Sequence, residues 1–278
     1  MSDDEIATVS YPKGELLKNG QYVIIDEIGE GGFGKVYLVE DTNNANEKRA
    51  LKILTRNLLD NDELLYTIDE INLLRDMENN FIIKYYDCFR HDHKACLVTN
   101  YCEGGDLDDK IDAYKTNKKQ FTEEQIYIWL CQMLDGLSYL HNRNIIHRDI
   151  KPANIFLHEN LIKLGDLGLA RSLASIQKSS KFAGTINYLC PELIENNELY
   201  FASDIWSVGC VLYELICLKM AFDGRGYYQI IKAIVEKDPP KIETSPRLQF
   251  VLNKTLMKLP DDRLSADALL DFLKSTNE

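Results

Sequence analysis

The segment His147-Arg148-Asp149-Ile150-Lys151-Pro152-Ala153-Asn154 gathers a carboxylate, a cation and an amide within one short loop. Phosphoryl transfer requires those three groups: a base to orient a hydroxyl, a charge on the moving phosphoryl group, and a metal ligand. Asp149, Lys151 and Asn154 take these roles in that order. Further along, Gly165-Asp166-Leu167-Gly168 follows the apolar run Leu161-Ile162-Lys163-Leu164, so Asp166 is expected at a strand end. An Asp-x-Gly by itself is an ordinary turn. Beside Asn154 it completes the pair of hard oxygen ligands that Mg2+ takes.

Gly29-Glu30-Gly31-Gly32-Phe33-Gly34 matches G-x-G-x-x-G, a pattern shared by nucleotide-binding loops and plain hairpin turns. A Rossmann fingerprint needs a helix next, yet Lys35-Val36-Tyr37-Leu38-Val39 reads as a strand. The glycines are therefore expected at a hairpin tip, where backbone N–H groups close over phosphates. Lys52 interrupts the apolar run Ala50-Leu51-Lys52-Ile53-Leu54, where an ammonium costs desolvation unless it meets an anion. The alternative is a lysine that snorkels from an alternating strand. Glu70, on the helix expected next, supplies a carboxylate, with Glu63 and Glu78 as competing candidates.

These groups need elements to hold them. Short β-prone runs at Tyr22–Ile25, Val36–Val39 and Ala50–Leu54, separated by the glycine cluster and by Asn43-Asn44-Ala45-Asn46, predict an antiparallel meander. Residues 1–20 lack apolar periodicity and read as a mobile arm. Leu64, Leu65, Ile68, Ile71 and Leu74 recur near helical spacing, and strand-like runs follow around Ile82-Ile83 and Cys96–Thr99. After Cys102-Glu103-Gly104-Gly105 the pattern turns helical. Thr122-Glu123-Glu124-Gln125 has capping-box spacing before Ile126, Trp129, Leu130, Met133, Leu134, Leu137 and Leu140, which predicts a long buried helix. A β-rich lobe followed by a helical lobe is an α+β fold, with the ligand expected between the lobes.

Composition narrows the function classes. At 278 residues, with 45% apolar and 27% charged side chains, the chain suits one two-lobed unit with a real core. Its net charge of -12 has the wrong sign for tracking a phosphate backbone, which argues against nucleic acid as a partner. Seven cysteines without C-x-x-C spacing suggest free thiols in a reducing compartment. Met1-Ser2-Asp3-Asp4-Glu5 is acidic where a signal peptide is basic, and no apolar run nears the roughly 18 residues of a membrane span. A soluble, intracellular protein without membrane partners is expected.

Residues 22–275 resemble the eukaryotic protein kinase catalytic domain, whose signatures occur here in order. The resemblance implies a bilobal protein-kinase-like fold: an N-terminal arm at 1–20, an N-lobe at 21–99 with one main helix, a hinge at 100–102, a mostly helical C-lobe at 103–275, and an end at 276–278. It implies ATP and Mg2+ as cofactors and Ser/Thr-bearing proteins as substrates. Asp149 would be the base, Lys151 the charge on the phosphoryl group, and Asn154 and Asp166 the metal ligands. Lys52 and Glu70 would form a lobe-bridging ion pair. Ile28, Gly29, Glu30, Gly31, Gly32, Phe33, Gly34 and Val36 would cover the nucleotide, with Ala50 and Phe156 also against it. Thr99 falls at the gatekeeper position; the Asn100 carbonyl and Cys102 backbone would bind adenine, and Asp106 would lie near the ribose. Glu192 would pair with Arg263, and Asp204 would hold the catalytic-loop backbone.

Lys151, two residues past Asp149, and Gly184-Thr185 resemble the Ser/Thr branch. Tyr101–Leu107, Asn154–Leu157 and Ser203–Leu218 are similar to the NIMA-related (NEK) family, which implies cytoplasmic roles linked to the cytoskeleton or centrosome and an activating kinase or regulatory partner. Three positions depart from the pattern. Leu167 replaces the Phe of Asp-Phe-Gly, Ile186 stands where NEK kinases carry Pro, and Lys181 occupies the position of the activating Ser or Thr. A phosphate on Ser179 or Ser180 would pair with Arg148 or Arg171; equally, these are ordinary loop serines. His91 and His93 have no third ligand in sight and read as solvated, as does the acidic face of Asp106, Asp108, Asp109 and Asp112. The competing function is a pseudokinase that binds nucleotide or acts as a scaffold, disfavoured because every catalytic position is filled.

Overall fold

The computed structural model describes residues 10–31, 34–54, 75, 77–92, 94–165, 171–172 and 186–276. The chain divides into two compact units, Met1–Glu78 with Ile83–Cys102, and Asn79–Ile82 with Glu103–Glu278. The fold is α+β, with a sheet building the first unit and helices dominating the second.

The first unit is a six-stranded antiparallel sheet in the order β1-β2-β3-β4-β6-β5. Its strands are β1 (Leu16–Leu17), β2 (Tyr22–Gly31), β3 (Gly34–Asp41), β4 (Glu47–Leu54), β5 (Tyr85–His91) and β6 (Lys94–Asn100). Side chains alternate across a strand, so each strand sends every second residue to the same face. Tyr22, Ile24, Tyr37, Val39, Leu51, Ile53, Cys96 and Val98 point to one face and form the core of this unit. The registers Val36↔Lys52, Leu38↔Ala50, Ala50↔Thr99 and Lys52↔Leu97 put those intervening residues on the other face.

Two sequence expectations need correction here. Residues 10–20 are not a mobile arm: Tyr11 and Leu17 are buried members of the core cluster. Leu17 pairs with Tyr22 in β1–β2, the Tyr11 hydroxyl donates to Asp92 at 3.2 Å, and Lys18 forms an ion pair with Asp87. Tyr11 is held by a residue distant in the chain and Leu17 lies in a two-residue strand, so no local periodicity announces either. Residues 1–9 lie outside the described residues. The strand expected at Ile82-Ile83 is displaced to Tyr85–His91, while Ile82 makes only an isolated parallel bridge to Leu164.

The second unit is built on α2 (Glu123–His141), which packs against α4 (Phe201–Cys217) and α7 (Ala266–Ser275). The order is completed by α1 (Leu107–Thr116), α3 (Pro191–Asn196), α5 (Tyr227–Glu236) and α6 (Pro246–Thr255). The Thr122 hydroxyl accepts from the Gln125 N–H and starts α2, whose Leu130, Met133, Leu134, Leu137 and Leu140 are fully buried. Short strands β7 (Ile145–Ile146), β8 (Ile155–His158) and β9 (Leu161–Leu164) frame the loop that carries Asp149. β8 and β9 form a hairpin whose turn residues Glu159 and Asn160 both have positive φ. β10 (Arg171–Ser172) pairs antiparallel with β7.

Leu17 is fully buried, so Leu17→Ala should cost about 2–5 kcal/mol, a loss typical of a core cavity. A lowered urea midpoint at unchanged m-value is the expected result. A change within about 0.5 kcal/mol, the surface range, would restore the mobile-arm reading.

Candidate active site

The loop after β7 is shaped by one carboxylate from α4. Asp204, 1% exposed, accepts from the His147 N–H at 2.9 Å and from the Arg148 N–H at 2.8 Å. His141, the last residue of α2, places Nε2 at 2.8 Å from Asp204 Oδ2. Burial pushes the Asp204 carboxyl up, but the His141 hydrogen bond, the His141 and His147 charges and the His147 N–H outweigh it and hold the group below its ordinary range. Arg148 has φ 72, a left-handed conformation that costs a non-glycine residue of order 1–3 kcal/mol and persists only where its surroundings enforce it. Two consecutive N–H groups fixed on one carboxylate supply that enforcement. His141 carries no sequence signal beyond following the last apolar position of its helix, where a His also suits the helix dipole.

Asp149, Lys151 and Asn154 are brought together. Lys151 Nζ lies 2.8 Å from Asp149 Oδ2, and Asn154 Nδ2 donates to the Asp149 carbonyl at 2.8 Å and to Oδ2 at 2.7 Å. Asp149 is 8% exposed and Asn154 5%, both on a loop closed by the single 3-10 turn Pro152–Asn154. Both donors converge on Oδ2, which leaves Oδ1 as the oxygen for a proton. Because the Asn154 amide nitrogen is spent on Asp149, its Oδ1 faces away as a hard oxygen donor, the ligand type that Mg2+ takes. The Gly165 N–H donates to the Asn154 carbonyl at 2.9 Å, tying the residue before Asp166 to this loop.

In the first unit, the glycine hairpin has Gly29 opposite Val36 and Gly31 opposite Gly34. Gly34, at φ 138, has no room for a side chain: a Cβ there would sit 1.9 Å from the Ile53 carbonyl oxygen. Glu30 and Ile28 are exposed, whereas Ala50, Lys52, Val36 and Thr99 share the face opposite the core. Thr99 Oγ1 donates to the Asn100 carbonyl at 3.2 Å. In the second unit, Asp106 caps α1, accepting from the Asp109 N–H at 2.9 Å, and bridges to Phe156. Asp106 is half-buried and stands apart from the exposed Asp108, Asp109 and Asp112, although burial pushes the carboxyls of both Asp106 and Asp108 up. His91 is likewise half-buried against the Tyr11 ring at 5.4 Å rather than solvated.

Gly32, Phe33, Glu70 and Asp166 lie outside the described residues, as do the helix expected over 64–74, His93, Leu167, Ser179, Ser180, Lys181 and Gly184-Thr185. The chain just past them is firmly held. Asn187 Nδ2 donates to the Phe222 carbonyl at 2.8 Å, Ser207 Oγ to the Tyr188 carbonyl at 2.9 Å, and the Tyr188 hydroxyl to buried Glu214 at 2.5 Å. Arg263 Nη1 and Nη2 grip Glu192 at 2.7 and 2.8 Å, while the remaining guanidinium directions meet the carbonyls of Met257, Lys258 and Ala202.

The protein kinase domain profile matches residues 22–272. The chain belongs to the protein kinase domain family. Among similar proteins, this kinase domain is 38% identical to serine/threonine-protein kinase Nek11 of Homo sapiens over 269 residues, 95% of this chain and 41% of that protein. It is 37% identical to Nek3 of Oryza sativa subsp. japonica, covering 90% and 43%, and 36% identical to Nek1 of Mus musculus, covering 90% and 21%. The chain thus spans about two fifths of the length of the Nek11 relatives it matches. Kinases of this family generally use ATP and Mg2+. Among the described residues of this kinase domain no helix is long and apolar enough to cross a membrane.

Burial raises the Glu192 carboxyl and the Arg263 hydrogen bond and charge lower it further than that, so its net shift is downward. A depressed carboxylate contributes stability above its unfolded pKa of about 4.3, and loses it as pH falls through the lower folded value. Arg263→Ala should cost about 3–5 kcal/mol at pH 7 by stranding a buried charge. Urea unfolding from pH 7 to 3 should show the wild type losing stability below about pH 4.3 and the variant losing less. Parallel pH profiles would refute the pairing.

Proposed function

We propose that this chain is an ATP-dependent protein serine/threonine kinase of the NEK type, and the observation that carries the reading is the convergence of Lys151 and Asn154 on Asp149. On this reading the substrate hydroxyl donates to Asp149 Oδ1. As the hydroxyl oxygen bonds to the γ-phosphorus, the bond from that phosphorus to the β–γ bridging oxygen breaks, and the proton passes to Asp149. Lys151, within reach of the same carboxylate, offsets negative charge on the moving phosphoryl group. Mg2+, when bound, neutralises phosphate charge, and Asn154 and Asp166 are the residues that would hold it.

The nucleotide is assigned to Ile28, Gly29, Glu30, Gly31, Gly32, Phe33, Gly34, Val36, Ala50, Lys52, Thr99, Asn100, Cys102, Asp106 and Phe156. Lys52 sits on the sheet face away from the core, which supports a role toward ATP phosphates with Glu70 as its carboxylate partner. The Nek relatives and the Lys151 position support Ser/Thr hydroxyls as acceptors. Partners on this reading are Ser/Thr-bearing proteins together with an activating kinase or regulatory protein, in the cytoplasm. The pseudokinase alternative loses support because Lys52, Asp149, Asn154 and Asp166 are all present in the sequence.

The test is transfer of γ-labelled phosphate from Mg·ATP to a Ser/Thr peptide library. Asp149→Asn keeps the shape of the loop but removes the base, and kcat should fall by at least about 100-fold at unchanged unfolding midpoint. No transfer by the wild type, before or after treatment with an activating kinase, would favour the pseudokinase.

A further inference from the structure

Asn100 ends β6 with more of its polar groups engaged than a strand terminus needs. Its N–H donates to the Lys84 carbonyl at 3.0 Å and its Oδ1 accepts from the Lys84 N–H at 2.8 Å, so the amide side chain closes a ring with one backbone unit. Nδ2 donates to the Tyr86 hydroxyl at 3.2 Å. The amide orientation is forced, because the Lys84 N–H can only donate.

Tyr86 reaches Asn100 because the β5–β6 register shifts between Tyr85 and Asp87: Tyr85 faces Thr99 and Asp87 faces Val98, leaving Tyr86 as the extra residue of a bulge. A bulge re-aims a side chain. The ring is held in turn by Arg49, whose guanidinium carbon lies 3.7 Å from its centroid and whose backbone pairs with Asn100 on the opposite strand. Arg49 is 4% exposed and grips Glu47 at 2.5 Å, so the stack is anchored within the sheet. The Asn100 carbonyl is thus bracketed by its own clamped side chain and by the Thr99 hydroxyl.

Resting on the nucleotide reading above, we propose that the Asn100 side chain, clamped between Lys84 and Tyr86, is a positioning residue that fixes the Asn100 carbonyl for the 6-amino group of adenine and sets the preference for ATP over GTP. The carbonyl accepts from an amino group and repels the 6-oxo group of guanine. Discrimination of this kind needs a carbonyl that cannot turn aside, since a mobile acceptor yields to the wrong partner.

The experiment measures equilibrium dissociation constants of Mg·ATP and Mg·GTP, with kcat and KM alongside, for wild type, Asn100→Ala, Asn100→Asp and Tyr86→Phe. Asn100→Ala should weaken ATP about tenfold and GTP by less than twofold, with the loss appearing in the ATP KM. Asn100→Asp should recover most of the loss, because one carboxylate oxygen accepts from the Lys84 N–H and the other from the Tyr86 hydroxyl. Tyr86→Phe, which keeps the ring beneath Arg49, should fall between. Equal weakening of ATP and GTP in Asn100→Ala, or a drop in kcat in step with the unfolding midpoint, would reduce the clamp to ordinary strand structure and overturn the proposal. ATP affinity unchanged in that variant would overturn it outright. A wild type that binds neither nucleotide would instead bring down the kinase reading, and the clamp with it.

Discussion

Everything in the second unit that bears on chemistry hangs from the Asp204 carboxylate. It sits near the start of α4, a helix whose next turns are apolar and buried, and there an unpaired charge would cost several kcal/mol. Three donors remove that cost: two backbone N–H groups from residues 147 and 148, and the His141 ring. The same bonds dictate the path of the loop, since consecutive N–H groups converge on one carboxylate only if the backbone between them turns. Arg148 makes that turn in the left-handed region, and Asp149 follows with its side chain set toward Lys151 and Asn154. The position of Asp149 is therefore a consequence of how a buried charge on a neighbouring helix was satisfied.

The first unit works by alternation rather than by a central charge. The core claims one face of the sheet, and of the residues assigned to the nucleotide Val36, Ala50, Lys52 and Thr99 are those that two-residue periodicity sends to the other. Such a device demands a firm register, and the segment 10–20 supplies some of it. Leu17 and Tyr11 fill the core face while Lys18 ties the segment to Asp87, beside the bulge that presents Tyr86. Closing the core side of the sheet and setting the edge next to Asn100 are thus mechanically connected.

How much of this was legible in the sequence follows from the range of the interactions. Asp149, Lys151 and Asn154 could be grouped because the turn Pro152–Asn154 makes them neighbours in space as well as in sequence. The strands of the meander and the long helix α2 were readable because their apolar positions repeat at fixed spacing. The packing of Tyr11 and Leu17 was not, because Tyr11 bonds to a residue far along the chain and Leu17 lies in a strand of two residues, too short for a period to show. The displaced strand has a similar cause: Ile82 and Ile83 are as β-prone as any pair, but the ladder with β6 begins at Tyr85, and the bulge after it disturbs the alternation that would have marked the true strand. His141 and the side chain of Asn100 look ordinary in sequence, since their roles arise from partners on other elements.

A buried charge is rarely the most stable solution, and well-packed apolar side chains of similar volume often do as well or better. At position 204 that exchange is closed off. An apolar residue there would fill the space but leave the N–H groups of His147 and Arg148 buried without acceptors, each costing about 1–3 kcal/mol. It would also remove what holds Arg148 at positive φ, and the loop would relax toward the common regions of backbone space. The carboxylate is kept because only an acceptor with two oxygens can hold two successive amides, and the geometry of Asp149 depends on both. Glu192 and Arg263 obey a different rule: the guanidinium meets a carboxylate and three carbonyls, so the pair completes a buried junction without bending any backbone to an unusual angle. Between Asp204 and Glu192, the first spends its charge on conformation and the second on cohesion, and only Asp204 bonds directly to the loop that carries Asp149.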